Sequence, residues 1–275
     1  MNADEKYIKL LDMLTEMKSV TIAFSGGVDS TFLVKAAKVA LNDKVLEVTA
    51  TSSTYPKREL NEAISFANDI GVRHEVISSE ELDIEGFSKN PSNRCYYCKS
   101  ELFTKIRAIS DKQNMDFVLD GSNFDDIGDF RPGMQAACEL NVISPLKEVK
   151  MTKADIRKIS KKLNLPTWDK PAFACLSSRF PYGNEITSEK LSMVDKAEQF
   201  LLDLGFRQIR VRHHEDIARI EINPDEITKI FDVELMGKIY SRLSDIGFTY
   251  VTLDMRGYRQ GSMNEVESIK KIIDK

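Results

Sequence analysis

The chain has 275 residues, of which 42% are hydrophobic and 30% charged, a balance that places it among soluble globular proteins rather than disordered or fibrous ones. Its formal net charge of -4 argues against tight non-specific nucleic-acid binding, which needs a basic face. No apolar run approaches the roughly 20 residues of a membrane span, the first residues carry no signal-peptide pattern, and the expectation is a cytoplasmic protein. In that compartment four cysteines point to metal binding or catalysis before disulfides.

The chain opens with apolar residues at helical spacing, Tyr7, Leu10, Leu11, Leu14 and Met17, a structural helix over residues 3–19. Val20–Phe24 then reads as a buried strand, and Thr31–Ala37 as a helix. Between them lies Ser25-Gly26-Gly27-Val28-Asp29-Ser30. Gly26 and Gly27 let backbone N–H groups approach an anion with no Cβ in the way. Ser25 and Ser30 add hydroxyl donors, and the helix start adds unpaired N–H groups and a positive dipole end. Asp29 would repel phosphate unless a cation such as Mg2+ lies between them.

Val45–Ala50 is the second strand, and Thr51 ends it at a carboxyl edge, where open parallel sheets bind ligands. Lys57 to Gly71 is a helix closed by glycine, and His74–Ile77 a third strand. A loop over 79–97 leads into the pair Cys95 and Cys98, and a helix is expected from about Cys98 to Asn114. Phe117–Asp120, a fourth strand, runs into Gly121-Ser122-Asn123-Phe124-Asp125-Asp126, where Gly121 permits close approach to a nucleotide and Asp126 is the candidate Mg2+ ligand. Val142–Ser144 is a short fifth strand, and Thr152 caps a helix to Leu163 with Asp155 three places on.

Strands alternating with helices predict an α/β fold, a doubly wound parallel sheet with helices on both faces. Pro166, Pro171 and Pro181 then interrupt the chain, so the expected organisation is a sheet domain over 1–165 and a cysteine-bearing connector over 166–184. A smaller α+β domain follows over 185–275: an amphipathic helix from Leu191, strands at 209–213 and 217–222, a helix from Pro224, another through Tyr240, a strand at 250–253 and a short helix at 265–274.

The hexapeptide SGGVDS in its strand–turn–helix setting resembles the PP-loop of the N-type ATP pyrophosphatases and lacks the lysine of a Walker A loop. That resemblance implies cleavage of ATP between its α- and β-phosphates, with Asp29 and Ser30 in catalytic roles and Ser25, Gly26, Gly27, Thr51 and Gly121 at the nucleotide. Cys138, in the helical context Met134–Leu140, reads as a buried small hydrophobe. Cys95 and Cys98 alone leave a redox pair, zinc and an iron–sulfur cluster open, although a closed zinc site needs four ligands and three cysteines suit a cluster with one open iron.

SGGVDS, the Cys-x-x-Cys-Lys stretch at Cys95, GSNFDD at Gly121, PAFACLSSR at Pro171 and the Arg210-Val211-Arg212 pair together resemble LarE, the ATP-dependent sulfur transferase family of nickel-pincer cofactor synthesis, over residues 5–265. The resemblance implies a phosphorylated pyridinium nucleotide as substrate, its carboxylate adenylated by ATP with Mg2+ on Asp29 and Asp126. It implies Cys175 as the sulfur-bearing residue. It also implies a 4Fe–4S cluster on Cys95, Cys98 and Cys175, as in the three-cysteine members, with sulfide or another donor supplying sulfur. Members with one cysteine sacrifice its sulfur instead. Arg179, Glu198, Arg210, Arg212, Arg256 and Arg259 are the expected substrate contacts, arginines being suited to clamp phosphate and carboxylate. The alternatives are thiolation of a tRNA base by the same chemistry and a non-catalytic nucleotide sensor with a redox Cys-x-x-Cys. A homo-oligomer is left open.

Overall fold

The computed structural model describes residues 1–127, 132–259 and 261–264. In chain order the first elements are α1 (Ala3–Glu16), β1 (Val20–Ala23), α2 (Val28–Leu41), β2 (Val45–Thr51), α3 (Lys57–Ile70), β3 (Arg73–Ser78), α4 (Arg94–Lys112) and β4 (Phe117–Leu119). They are followed by α5 (Pro132–Glu139), α6 (Pro145–Glu148), α7 (Lys153–Lys162), α8 (Ser188–Asp203), β5 (Ile209–His214), β6 (Ile217–Ile222), α9 (Val233–Ile246) and β7 (Tyr250–Leu253).

Four strands form a fully parallel sheet in the order β3-β2-β1-β4. Its strands are buried on both faces, so they read as apolar runs rather than alternations. Val20, Ile22, Val45 and Leu119 point into a core shared with α1, α2, α3 and α7. Leu46, Val48 and Val118 point the other way, into a core with α4 and α5. This is the doubly wound α/β arrangement expected. The chain moves outward from β1 to β3 and then returns to place β4 on the other side of β1, so the crevice at the carboxyl ends of β1 and β4 is the topological switch point.

Local sequence sets the ends of several elements. Asn2 and Glu5 close a capping box on α1, and Thr152 and Asp155 close the expected one on α7. Lys6 Nζ reaches Asp155 at 2.6 Å, which ties the two helices at those ends. The expected fifth strand shrinks to a single parallel bridge between Ile143 and Leu119, because Pro145 starts α6 two residues later. The helix expected from Cys98 begins at Arg94, so the Cys-x-x-Cys pair lies in its first turns and not in the loop before it.

Residues 1–84 and 93–173 form one compact unit, and residues 85–92 and 174–275 a second. The proline-rich segment 166–184 therefore divides at Phe173 and Ala174. In the second unit β5 pairs antiparallel with β6, and β6 parallel with β7. Ala197 and Leu201 of α8, Ile239 and Leu243 of α9 and Val211, Ala218, Ile220 and Ile222 of the sheet build its core. The segment expected to be helical from Pro224 is a 3-10 turn over Pro224–Phe231, and the helix expected at 265–274 lies outside the described residues. Among the described residues no helix is long and apolar enough to cross a membrane.

Candidate active site

The loop after β1 is built for an anion. Gly26 has φ +62°, and a Cβ there would meet Ala63 of α3 at 3.1 Å, so both conformation and space demand glycine. Gly27 is the N-cap of α2 and supplies no side-chain cap, which leaves the first N–H groups of that helix to a ligand. Ser30 Oγ lies 3.1 Å from Ser25 Oγ, and Tyr55 Oη donates to the Ser25 carbonyl at 2.9 Å. Gly121, at the end of β4, packs on the same helix start: a Cβ there would meet Ser30 N at 3.1 Å. Thr51, half-buried at the carboxyl end of β2, accepts the Ser79 N–H on its carbonyl at 3.0 Å.

Asp29 carries the charge of this cradle. Burial pushes its carboxyl above the ordinary range; Lys153 opposes that shift and the Asp126 charge adds to it. Among the described residues Asp29 Oδ1 is buried without a well-formed hydrogen bond, the Asn123 side chain lying near enough to favour its charged form, while Oδ2 pairs with Lys153 Nζ at 2.5 Å. Two carboxylates close enough to repel, one with an orphaned oxygen, fit a hard divalent cation. Asp29 and Asp126 are the residues that would hold Mg2+. Asp126 Oδ2 accepts the Asn123 N–H at 3.0 Å in a capping box. The same loop is fastened to α7, because Asp125 Oδ2 accepts the Lys153 N–H at 2.8 Å and Phe124 N donates to the Met151 carbonyl at 2.9 Å.

Sequence reading missed both lysines at this loop. Lys153 reaches it from α7, and Lys170 from the proline-rich segment. Lys170 Nζ donates to Gly26 O at 3.2 Å and faces Glu59 at 2.8 Å and Glu62 at 2.6 Å. Neither lies in a motif; only folding brings them to positions 26 and 29.

The four cysteines fall in three places. Cys95 and Cys98 are three residues apart on α4 and therefore share a face, with Cys95 exposed. Cys98 Sγ donates to Glu81 Oε1 at 3.7 Å, and Glu81 Oε2 accepts from Thr54 Oγ1 at 3.1 Å. That face offers two soft donors of the kind an iron–sulfur cluster takes. Cys175 belongs to the second unit and is exposed. Within each unit no three His, Cys, Asp or Glu side chains among the described residues group as a metal centre. Cys138 is also exposed, not buried as expected: Ala136 and Ala137 take the inward positions of α5, and the next residue turns out to solvent.

In the second unit Arg179 and Arg212 hold the segment that carries Cys175, with Glu198 beside Arg179, whereas the contacts of Arg256 and Arg259 are with Asp254. Arg179 is fully buried, and Nε and Nη2 each meet Glu198 at 2.8 Å. Its Nη1 donates to the carbonyls of Ala174 at 2.7 Å and Cys175 at 3.0 Å, and to Ser178 Oγ at 2.9 Å. Glu198 Oε1 also accepts the Val211 N–H at 3.0 Å, which links the cysteine segment to β5. Arg210 and Arg212 share one face of β5, and both are buried rather than solvated. Arg210 lies 5.1 Å from the Tyr258 ring centroid, and burial beside Arg179 lowers its pKa to about 10. Arg212 donates to Ser178 O at 3.0 Å, Glu221 Oε2 at 2.7 Å and Ser262 Oγ at 2.9 Å, and its buried Nε has no hydrogen-bond partner among the described residues. Arg259 meets Asp254 at 3.2 Å, and exposed Arg256 donates its backbone N–H to the same carboxylate at 2.8 Å.

A model of the NAD synthase family matches residues 2–111. An uncharacterized protein of Synechocystis is 43% identical over 263 residues, covering 96% of this chain and 98% of that one. Pyridinium-3,5-bisthiocarboxylic acid mononucleotide synthase of Lactiplantibacillus plantarum is 36% identical over 261 residues, 94% of each chain. An uncharacterized protein of Methanocaldococcus jannaschii is 34% identical over 264 residues, covering 93% of this chain and 98% of its own.

Proposed function

The chain belongs to the LarE family, enzymes of ATP-pyrophosphatase type, and on that premise we propose that it is an ATP-dependent sulfurtransferase acting on a pyridinium mononucleotide. The observation that carries this reading is the convergence of the glycine loop, Gly121 and the Asp29–Asp126 pair at the sheet's switch point. A carboxylate is a poor electrophile, and adenylation gives it a good leaving group. The substrate carboxylate attacks the α-phosphorus of ATP, pyrophosphate departs, and sulfur then displaces AMP to leave a thiocarboxylate.

Each group of the chain has a part in this. The N–H groups at the start of α2 and the Ser25 and Ser30 hydroxyls bind the polyphosphate. Asp29 and Asp126 would hold Mg2+, which would supply charge neutralisation to the phosphates. Arg212, whose buried Nε has donor capacity to spare, orients the substrate phosphate together with Arg210. Arg256 and Arg259 lie close in sequence and add positive charge for the same nucleotide. Arg179 and Glu198 hold the backbone that presents Cys175. A 4Fe–4S cluster bound by Cys95, Cys98 and Cys175 would supply labile sulfide.

The test is release of pyrophosphate from ATP with a pyridinium dicarboxylate mononucleotide, followed by mass spectrometry of that nucleotide. Pyrophosphate with a mass gain of sulfur for oxygen supports the reading. Pyrophosphate release with tRNA alone as acceptor overturns it in favour of base thiolation.

A further inference from the structure

Asp29 has a charged partner that is distant in sequence, on the helix packed beside its own. Lys153 is the first residue of α7, yet its ammonium pairs with Asp29 Oδ2, 124 residues earlier in the chain. Its backbone is fixed, because its own N–H donates to Asp125 Oδ2 at 2.8 Å. Its side chain is a flexible four-carbon stem, 34% exposed, ending in a compact ammonium. Anchored at one end and mobile at the other, the lysine can swing without moving α7.

A carboxylate oxygen that holds an ammonium cannot take a divalent cation at the same place, since the two cations repel. Among the described residues Asp29 Oδ1 is buried without a well-formed hydrogen bond and with only the neutral Asn123 amide near the carboxylate, so one side is open to a cation while Lys153 occupies the other. We propose that Lys153 is an exchangeable counter-ion of the nucleotide site. It neutralises Asp29 before Mg2+ and ATP bind, yields the carboxylate to the metal, and then turns its charge to the departing pyrophosphate. The proposal rests on the ATP-cleaving reading above. In the step concerned, a substrate carboxylate oxygen bonds to the α-phosphorus. The bond from that phosphorus to the α,β-bridging oxygen breaks, and the bridging oxygen keeps the electron pair. Negative charge therefore grows on pyrophosphate, and a Lys153 ammonium freed from Asp29 would offset it.

Lys170 provides the contrast. Its ammonium already faces Glu59, Glu62 and the Gly26 carbonyl, so its charge is committed and its part is to hold the loop.

Two measurements on the full chain test this. Binding of α,β-methylene-ATP, which cannot be cleaved between the α- and β-phosphates, is titrated calorimetrically across a Mg2+ series. Pyrophosphate release from ATP is measured at saturating Mg2+. For Lys153→Met the Mg2+ concentration at half-saturation is expected to fall roughly 2- to 5-fold, the worth of a partly exposed ion pair. Pyrophosphate release is expected to fall about 10- to 100-fold, the worth of a charge-assisted hydrogen bond. Lys153→Gln keeps a long polar stem and should shift both in the same directions; Lys170→Met should instead raise the Mg2+ requirement. A Lys153→Met protein that needs more Mg2+, or that releases pyrophosphate at the wild-type rate, overturns the proposal. A wild-type protein that fails to bind α,β-methylene-ATP at any Mg2+ concentration overturns the nucleotide reading itself.

Discussion

Arg179 and Glu198 form a two-point ion pair, both contacts at 2.8 Å, with side chains 0% and 1% exposed. Desolvation opposes charge on both, yet each partner keeps the other ionised: Glu198 lies below the usual carboxylate range and Arg179 above its usual value. The remaining Arg179 donors go to the carbonyls of Ala174 and Cys175 and to Ser178 Oγ. The pair thus serves to fix a cysteine-bearing turn in place.

Removing one partner strands a buried charge. Glu198→Gln is therefore expected to cost about 3–5 kcal/mol of unfolding free energy. The double change Arg179→Met, Glu198→Leu should recover much of that loss in urea unfolding, yet leave Cys175 in a mobile turn that proteases cut faster. Equal stability of the single and double variants would mean that the pair is not coupled.

Glu47 is a second buried charge problem, with a different answer. It lies on β2, fully buried between Ile22 and His74 in the strand register, and neither oxygen has a hydrogen-bond partner among the described residues. Burial raises its pKa from near 4.5 to about 8, so the folded protein holds a proton that the unfolded chain releases. Between about pH 4.5 and about pH 8 the native state binds more protons than the unfolded state, and stability falls as pH rises through that window. Glu47→Gln should remove this slope, seen as a flatter dependence of urea midpoint on pH. An unchanged slope would place the titration elsewhere.

Gly121 offers a steric test of the nucleotide site. A methyl group there meets backbone atoms of Ser30 at 3.1 and 3.2 Å, so Gly121→Ala must push the start of α2 away from β4. Such overpacking costs about 1–3 kcal/mol, and the displaced N–H groups should weaken ATP-analogue binding about 5- to 100-fold. Gly237, inside α9, has nothing within 4 Å of the added methyl, and Gly237→Ala should instead stabilise the protein by about 0.5–1 kcal/mol. Calorimetric binding and thermal unfolding of the two variants check both signs.

The parts of this protein that could be read from sequence are those fixed by neighbours in the chain. The SGGVDS loop follows its strand and opens its helix within a few residues, so its geometry is local. The Thr152 capping box is local too. Lys153 and Lys170 were illegible as site residues because their partners lie more than a hundred residues away. Arg179 and Glu198 illustrate a different limit: the sequence offers both as substrate contacts, and only packing reveals that they pair with each other. Ile143 failed as a strand because one bridge was all that Pro145 allowed.

The cysteines carry the last prediction. A Cys-x-x-Cys pair at the head of α4 puts two thiols on one helix face, and an exposed Cys175 sits on a turn held rigid by Arg179. If all three bind one cluster, each single change Cys95→Ala, Cys98→Ala or Cys175→Ala should remove the brown chromophore after anaerobic reconstitution and end multiple-turnover sulfur transfer. Cys138, exposed on α5 and outside both groups, serves as the internal control, and Cys138→Ala should keep colour and turnover. A sacrificial mechanism makes a different demand. It relies on one thiolate, so only Cys175 would matter, and the protein would lose the mass of hydrogen sulfide after one turnover, leaving dehydroalanine. Intact-protein mass spectrometry before and after a single turnover separates the two. A Cys95→Ala, Cys98→Ala double variant that still sulfurates its substrate catalytically would end the cluster reading, because Cys175 alone cannot hold one.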